Sequence, residues 1–197
     1  DGGAHGSAGA AGWCRGRARG RCDVAGGAGA DAGKFESHRP AAVYAPNAGS
    51  SSYLSEAGID TDISEIFADL SMPYEMVGQL AEACREVGIR FMSTPFSPAD
   101  FAAVDPWVDV HKNASYEISH LRLIELAARS GKPLIQSTGG ATVDDIEWAV
   151  ETFRQNGGGQ LVILQCTARY PAPLSAIDVR AIPWLAERFQ VTAGLSD

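Results

Sequence analysis

The stretch Lys112-Asn113-Ala114-Ser115-Tyr116-Glu117 sets an ammonium, a hydroxyl and a carboxylate side by side, just ahead of a helical pattern. The alternation of Trp107, Val108 and Val110 before it reads as a strand, so these groups stand where a strand gives way to a loop. On a continuing strand, Lys112, Ala114 and Tyr116 would point one way and Asn113 and Ser115 the other. Later strand ends carry the same kinds of group: Ser137-Thr138, Thr167 with Tyr170, and Ser196, while Lys34 stands on an earlier strand-like piece. Two lysines and several hydroxyls on one rim make a site for a small, multiply charged anion such as a phosphorylated carboxylate. Glu117 among them is the candidate for moving a proton or orienting water.

The elements that must bring these residues together follow a rhythm. Ile89–Ser93, the run into Lys112, Pro133–Gln136, Leu161–Leu164 and Val191–Leu195 read as strands. Between them, helices are expected over 98–104, 118–130, 143–155 and within 176–189, with Thr142 as an N-cap and Gly131 as a stop. Earlier, Pro73 opens a helix that Gly88 ends, 62–70 is a short helical pattern, and 40–60 is a loop. Alternating strands and helices are the mark of parallel β/α units. Polar residues at the C-terminal ends of short strands suit a (β/α)8 TIM barrel, whose active site lies on that face. A doubly wound sheet would show a glycine-rich phosphate loop after its first strand; Asn156-Gly157-Gly158-Gly159 precedes a strand instead. Residues 1–29, rich in Gly, Ala and Arg, show neither period and are expected to be divergent or disordered, with the barrel domain over 30–197.

The 197 residues, 45% hydrophobic and 20% charged, suit one globular domain. A formal charge of -8 argues against nucleic acid or an anionic membrane as partner. No apolar run approaches the roughly 20 residues of a membrane span, and no signal peptide opens the chain, so a cytoplasmic location is expected. The four cysteines match no zinc or disulfide framework, and Cys84 reads as a small core residue. His5, His38, His111 and His120 show no metal-ligand spacing, and His111, in opposite phase to Lys112, is expected to pack or meet solvent.

In order and spacing, Gly29–Phe35, Phe91–Phe96, Lys112–Glu117, Gly131–Pro133, Ser137–Gly139, Cys166–Pro171 and Gly194–Asp197 resemble the sialic acid synthase family, which makes N-acetylneuraminate, pseudaminate and legionaminate. The resemblance implies condensation of phosphoenolpyruvate with an N-acetylated amino sugar such as N-acetylmannosamine, with release of phosphate, in a homodimeric enzyme using Mn2+ or Mg2+. It implies that Lys34, Lys112, Ser115 and Ser137 hold phosphoenolpyruvate, that Glu117 serves proton transfer or water positioning at C2, and that Asn47, Tyr170 and Ser196 contact the sugar. The family's metal histidines, eighth strand and C-terminal antifreeze-like domain would fall beyond Asp197, and the first strand has no clean equivalent. An incomplete barrel with little activity of its own is therefore expected. Tyr116 and Ala168 depart from the neuraminate pattern, Tyr116 towards the pseudaminate branch, which leaves pseudaminate or legionaminate synthesis as alternatives. A remnant that binds anions without turnover is the other.

Overall fold

The computed structural model describes residues 19–43, 71–169 and 171–196, with Gly16, Gly49 and Ala68 as single positions. The arginine-rich start up to residue 15, most of the expected 62–70 helix, and the site candidates Asn47 and Tyr170 lie outside the described residues. The chain divides into two compact units, one of Asp1–Ser93 with Pro106–Val108 and one of Thr94–Asp105 with Asp109–Asp197.

In the first unit, helix α1 covers 19–27, followed by strand β1 (Ala32–Ser37), the short helix α2 (Pro40–Val43), helix α3 (Glu75–Glu86) and the start of strand β2 (Arg90–Pro95). Helix α3 buries Met76, Val77, Leu80 and Cys84, as its 3.6-residue apolar spacing requires. Strands β1 and β2 pair, and Phe35 stacks on Phe91 with ring centres 5.6 Å apart. Helix α1 corrects the expectation of irregular chain before residue 30. Its cause is tertiary: Cys22 is buried with its Sγ 3.3 Å from that of Cys84, and such packing outweighs the roughly 1 kcal/mol that a helical glycine costs. Both thiols are free, and burial, then the neighbouring Cys22, pushes Cys84 up to about 12. The expected loop from residue 40 likewise begins as α2.

The expected strand over 107–110 is also corrected. Asp105–Trp107 is a 3-10 turn, and Trp107 lies so close to Gly78 of α3 that a Cβ there would meet its ring at 2.8 Å. Only glycine fits beneath that indole.

The second unit continues with α4 (Pro98–Val104), β3 (His111–Asn113), a 3-10 turn (Ser115–Glu117), α5 (Leu121–Arg129), β4 (Leu134–Ser137), α6 (Val143–Gln155), β5 (Leu161–Cys166), a second 3-10 turn (Leu174–Ala176), α7 (Ala181–Phe189) and β6 (Thr192–Ser196). Helix α5 starts three residues later than expected because Ser115–Glu117 takes the tighter turn and His120 caps the helix. Helix α6 has the expected bounds, closed at its start by a reciprocal capping box between Thr142 and Asp145. Ser97 caps α4 in the same position, accepting from the amide of Asp100 at 3.1 Å.

Strands β3, β4, β5 and β6 lie side by side in that order, all parallel. Register places His111, Leu134 and Leu161 on one level and Asn113, Gln136, Ile163 and Ala193 on the next of the same face. The apolar members of that face pack on Leu123, Ile124 and Ala127 of α5 and Ile146, Ala149, Val150 and Phe153 of α6 to form the core. Gly158 closes this layer, for a Cβ there would come within 2.5 Å of the Phe153 ring.

The start of β3 is fastened by a charged cluster. His111, 1% exposed, stacks on Phe101 and donates from Nε2 to Asp105 at 3.0 Å, and Lys132 Nζ reaches the same carboxylate oxygen at 2.9 Å. Of the two fates that its phase on the strand left open, packing or solvent, His111 takes packing. Burial lowers the His111 pKa more than Asp105 raises it; burial works upwards on Asp105, but the bonds from Lys132 and His111 outweigh it and hold that carboxyl below its usual range. Both groups therefore take up protons more readily in the unfolded chain. Their stabilisation is full above the ordinary histidine value of about 6.5 and is lost as pH falls, first through His111 and then through Asp105. Denaturant midpoints are expected to drop as pH falls below about 6.5, and His111→Phe, which keeps the stack on Phe101, is expected to flatten the first part of that fall. An unchanged slope in the variant would remove His111 as its cause.

Candidate active site

The face of the β3–β6 sheet opposite the helices carries the polar groups. Register sets Lys112 level with Ile135 and Val162, Ser137 level with Leu164 and Gly194, and Cys166 level with Ser196. Since side chains repeat every second residue, Lys112, Ser137, Cys166 and Ser196 share that face, stepping toward the C-terminal ends of successive strands. Lys112 Nζ donates to Ser137 Oγ at 2.6 Å and to the Asn113 carbonyl at 2.8 Å, so the ammonium is fixed rather than sweeping through solvent.

Ser115 and Glu117 follow on the turn after β3. The strand stops at Asn113, and the 3-10 turn brings the chain round, so the extended alternation that would have set Lys112 and Ser115 on opposite faces does not apply. Ser115 Oγ accepts from the amide of Gly139 at 2.9 Å, tying the loop after β3 to the loop after β4. The two loops approach so closely that a Cβ on Gly139 would lie 3.0 Å from Ser115 Oγ and 3.2 Å from both Cβ and N of Ala168. Glu117 is half-buried at the end of the turn. Tyr116 beside it is 75% exposed, its hydroxyl 3.5 Å from the Ala168 carbonyl, so its ring presents an apolar face to solvent at the rim.

Three expected members behave differently. Thr138 spends its hydroxyl on the Leu164 carbonyl at 2.9 Å, and Thr167 donates to the Ala176 carbonyl at 3.2 Å, so both brace loops. Lys34 lies on β1 of the first unit, where its ammonium pairs with Glu36 at 3.0 Å. Residue types and strand ends did not reveal the amide of Gly139, nor the buried pair Asn113 and Gln136 beneath the turn. The one available signal was polar residues in the helix-facing phase of two apolar strands. Among the described residues, no three His, Cys, Asp or Glu side chains come together to hold a metal ion. Nor is any helix among them long and apolar enough to cross a membrane.

The Lys112 ammonium and the Ser115 and Ser137 hydroxyls are groups that can bind an anion by charge and hydrogen bonds, and Glu117, on the same turn as Ser115, is a carboxylate able to move a proton. The close approach at Gly139 yields a stability test. Gly139→Ala is expected to cost about 1–3 kcal/mol by overpacking Ser115 against Ala168. Gly159→Ala, where a Cβ would meet nothing within 4 Å, is the control expected to cost less than about 0.5 kcal/mol. Equal denaturant midpoints for the two would mean that the loops are not held together here.

Comparison with known proteins gives a consistent result. A model described as the NeuB family matches residues 22–197. The spore coat polysaccharide biosynthesis protein SpsE of Bacillus subtilis is 36% identical over 179 residues, covering 89% of this chain and 47% of that protein. A pseudaminic acid synthase of Campylobacter jejuni is 31% identical over 173 residues, covering 86% of this chain and 50% of that one. The crystal structure of an N-acetylneuraminic acid (sialic acid) synthetase from Leptospira borgpetersenii superposes with a TM-score of 0.81 at 26% identity, over 93% of this chain and 60% of that chain. The chain spans about half the length of the curated relatives it matches.

Proposed function

The chain belongs to the NeuB family, and from that premise we propose that it carries the phosphoenolpyruvate half-site of a nonulosonate synthase, an enzyme joining phosphoenolpyruvate to an N-acetylated amino sugar. The observation that carries this reading is the Lys112–Ser137 contact of 2.6 Å on the strand-end face, with Ser115 fixed beside it by Gly139. Phosphoenolpyruvate presents a carboxylate and a phosphate on a small planar body. Such a ligand needs a fixed cation and several donors whose directions are set before it arrives, because ordering them on binding would cost affinity. The structural likeness supports a (β/α)8 barrel as the fold in which β1–β6 take part.

The chemistry asked of the site is modest. C3 of the enol phosphate attacks the aldehyde carbon of the open-chain sugar, making the new C–C bond and leaving C2 electron-poor. Water adds at C2, its proton passing to a base, and the adduct collapses with cleavage of the C2–O bond and release of phosphate. In this reading Lys112, Ser115 and Ser137 bind and orient phosphoenolpyruvate, and Glu117 accepts the proton or holds the water. A divalent ion, Mn2+ or Mg2+, would supply polarisation of the aldehyde. The described residues do not form its cage.

Ser196 on β6 and Tyr116 over Ala168 are assigned to the sugar side of the rim. An exposed aromatic ring beside a small Ala168 favours a sugar with apolar or acetamido substituents over one rich in hydroxyls, so a pseudaminate- or legionaminate-type precursor is preferred to N-acetylmannosamine. A remnant that binds phosphoenolpyruvate without turnover is the second reading.

The protein carrying this chain is expected to release phosphate from phosphoenolpyruvate only when an acetamido sugar and Mn2+ are present. Glu117→Gln is expected to lower kcat by about 100-fold or more with phosphoenolpyruvate still bound, and Lys112→Ala to weaken that binding by about 10-fold or more. Binding without release in the unaltered protein would select the remnant, and absence of both would reject the family activity for this site.

A further inference from the structure

Beneath the turn that carries Ser115 and Glu117 lie two buried primary amides, Asn113 at 4% and Gln136 at 3% exposure. They are direct neighbours in the β3–β4 register and project into the apolar layer between the sheet and α5–α6, where Gln136 adjoins Ile124, Leu134, Ile146 and Ile163. Burying two amides there is costly unless their donors are used. They are. Asn113 Nδ2 donates to Gln136 Oε1 at 2.8 Å and to the Glu117 carbonyl at 3.0 Å. Gln136 Nε2 donates to the Ala114 carbonyl at 3.2 Å and the Ser137 carbonyl at 2.7 Å.

The choice of acceptors is the telling part. The Ala114 and Glu117 carbonyls bracket the 3-10 turn, one just before Ser115 and the other at its last residue. The Ser137 carbonyl belongs to the residue that receives the Lys112 ammonium. A pair of buried side chains therefore holds both ends of the segment bearing the hydroxyl and carboxylate, and ties it to the strand bearing the partner of the cation. Apolar residues of similar size would pack the layer equally well and leave the turn with its own weak 3-10 bonds, such as the 3.3 Å contact of the Glu117 amide with the Ala114 carbonyl.

We propose that Asn113 and Gln136 are positioning residues that act as one unit, locking the Ser115–Glu117 turn so that the Glu117 carboxylate is aimed before substrate binds. The role in turnover rests on the synthase reading; the locking of the turn does not. The pair acts through Glu117 and the backbone, so its loss acts on the reaction step, while Lys112 and Ser137, and Ser115 through its separate bond from the Gly139 amide, keep their hold on phosphoenolpyruvate.

The test uses the protein carrying this chain with Gln136→Leu, Asn113→Leu and the double variant, read by hydrogen exchange of peptides spanning 113–120 and by steady-state kinetics. Each single variant strands an amide and is expected to lose stability. The double variant strands none of the two, retains the packing, and keeps the fold separable from the positioning. In it, exchange over 115–118 is expected to rise at least 10-fold while α5 and α6 stay protected. Its kcat is expected to fall about 10- to 100-fold with KM for phosphoenolpyruvate within about threefold, the cost of a catalytic group displaced by an ångström. A double variant with wild-type exchange in the turn would overturn the proposal, as would wild-type kcat, or a loss confined to KM. Should the unaltered protein show no turnover, the synthase reading fails at that control, and exchange over 115–118 alone decides whether the pair locks the turn.

Discussion

The parallel register of β3 against β4 is the constraint from which the candidate site follows. With His111 opposite Leu134, Lys112 and Ser137 fall on one face within hydrogen-bonding distance, and Asn113 and Gln136 meet on the other. A slip of one residue would exchange the faces, placing an ammonium in the helix-packed layer and an amide at the rim. The core forbids it, because Leu134, Leu161 and Ile163 must stay on the side of α5 and α6. Hydrophobic packing thus sets the position of a polar site that it never touches.

The strand ends divide their polar residues between two tasks. Lys112, Ser115, Ser137 and Ser196 are set out toward the rim, while Thr138 and Thr167 bond to backbone carbonyls and shape the loops that bring the others in. The first unit has its own logic, with α1 held to α3 by two buried thiols and β1 to β2 by stacked phenylalanines. The match to the NeuB family begins at Cys22, within that first helix.

Much of this could be read from residue order. Helix α6 was legible to the residue because a cap, two acidic residues and a regular apolar face agree, and Lys112 and Ser137 were legible as polar groups closing apolar runs. What escaped depends on partners distant in sequence. The alternation of Trp107, Val108 and Val110 mimics a strand, yet the indole is spent on Gly78 and the backbone there turns. Glycine and arginine around Cys22 argue against a helix until the thiol of Cys84 is known to lie beside it. The Asn113–Gln136 pair was hidden for the same reason: periodicity assigns a face to a residue, but it does not say that a second amide waits on the next strand.

Every connection in the β3–β6 sheet runs through a helix, so none of its strand pairs can form as a hairpin. Paired residues stand on the order of 25 positions apart in the chain, and each ladder must wait for a helix to fold and cross over before its first hydrogen bond is made. The contacts on which the rim depends are therefore among the last to which a refolding chain commits. During that interval apolar β5, with its run of Leu161 to Leu164, is a strand without neighbours. The same topology that points every strand's end in one direction makes the route to that state slow and sensitive to concentration.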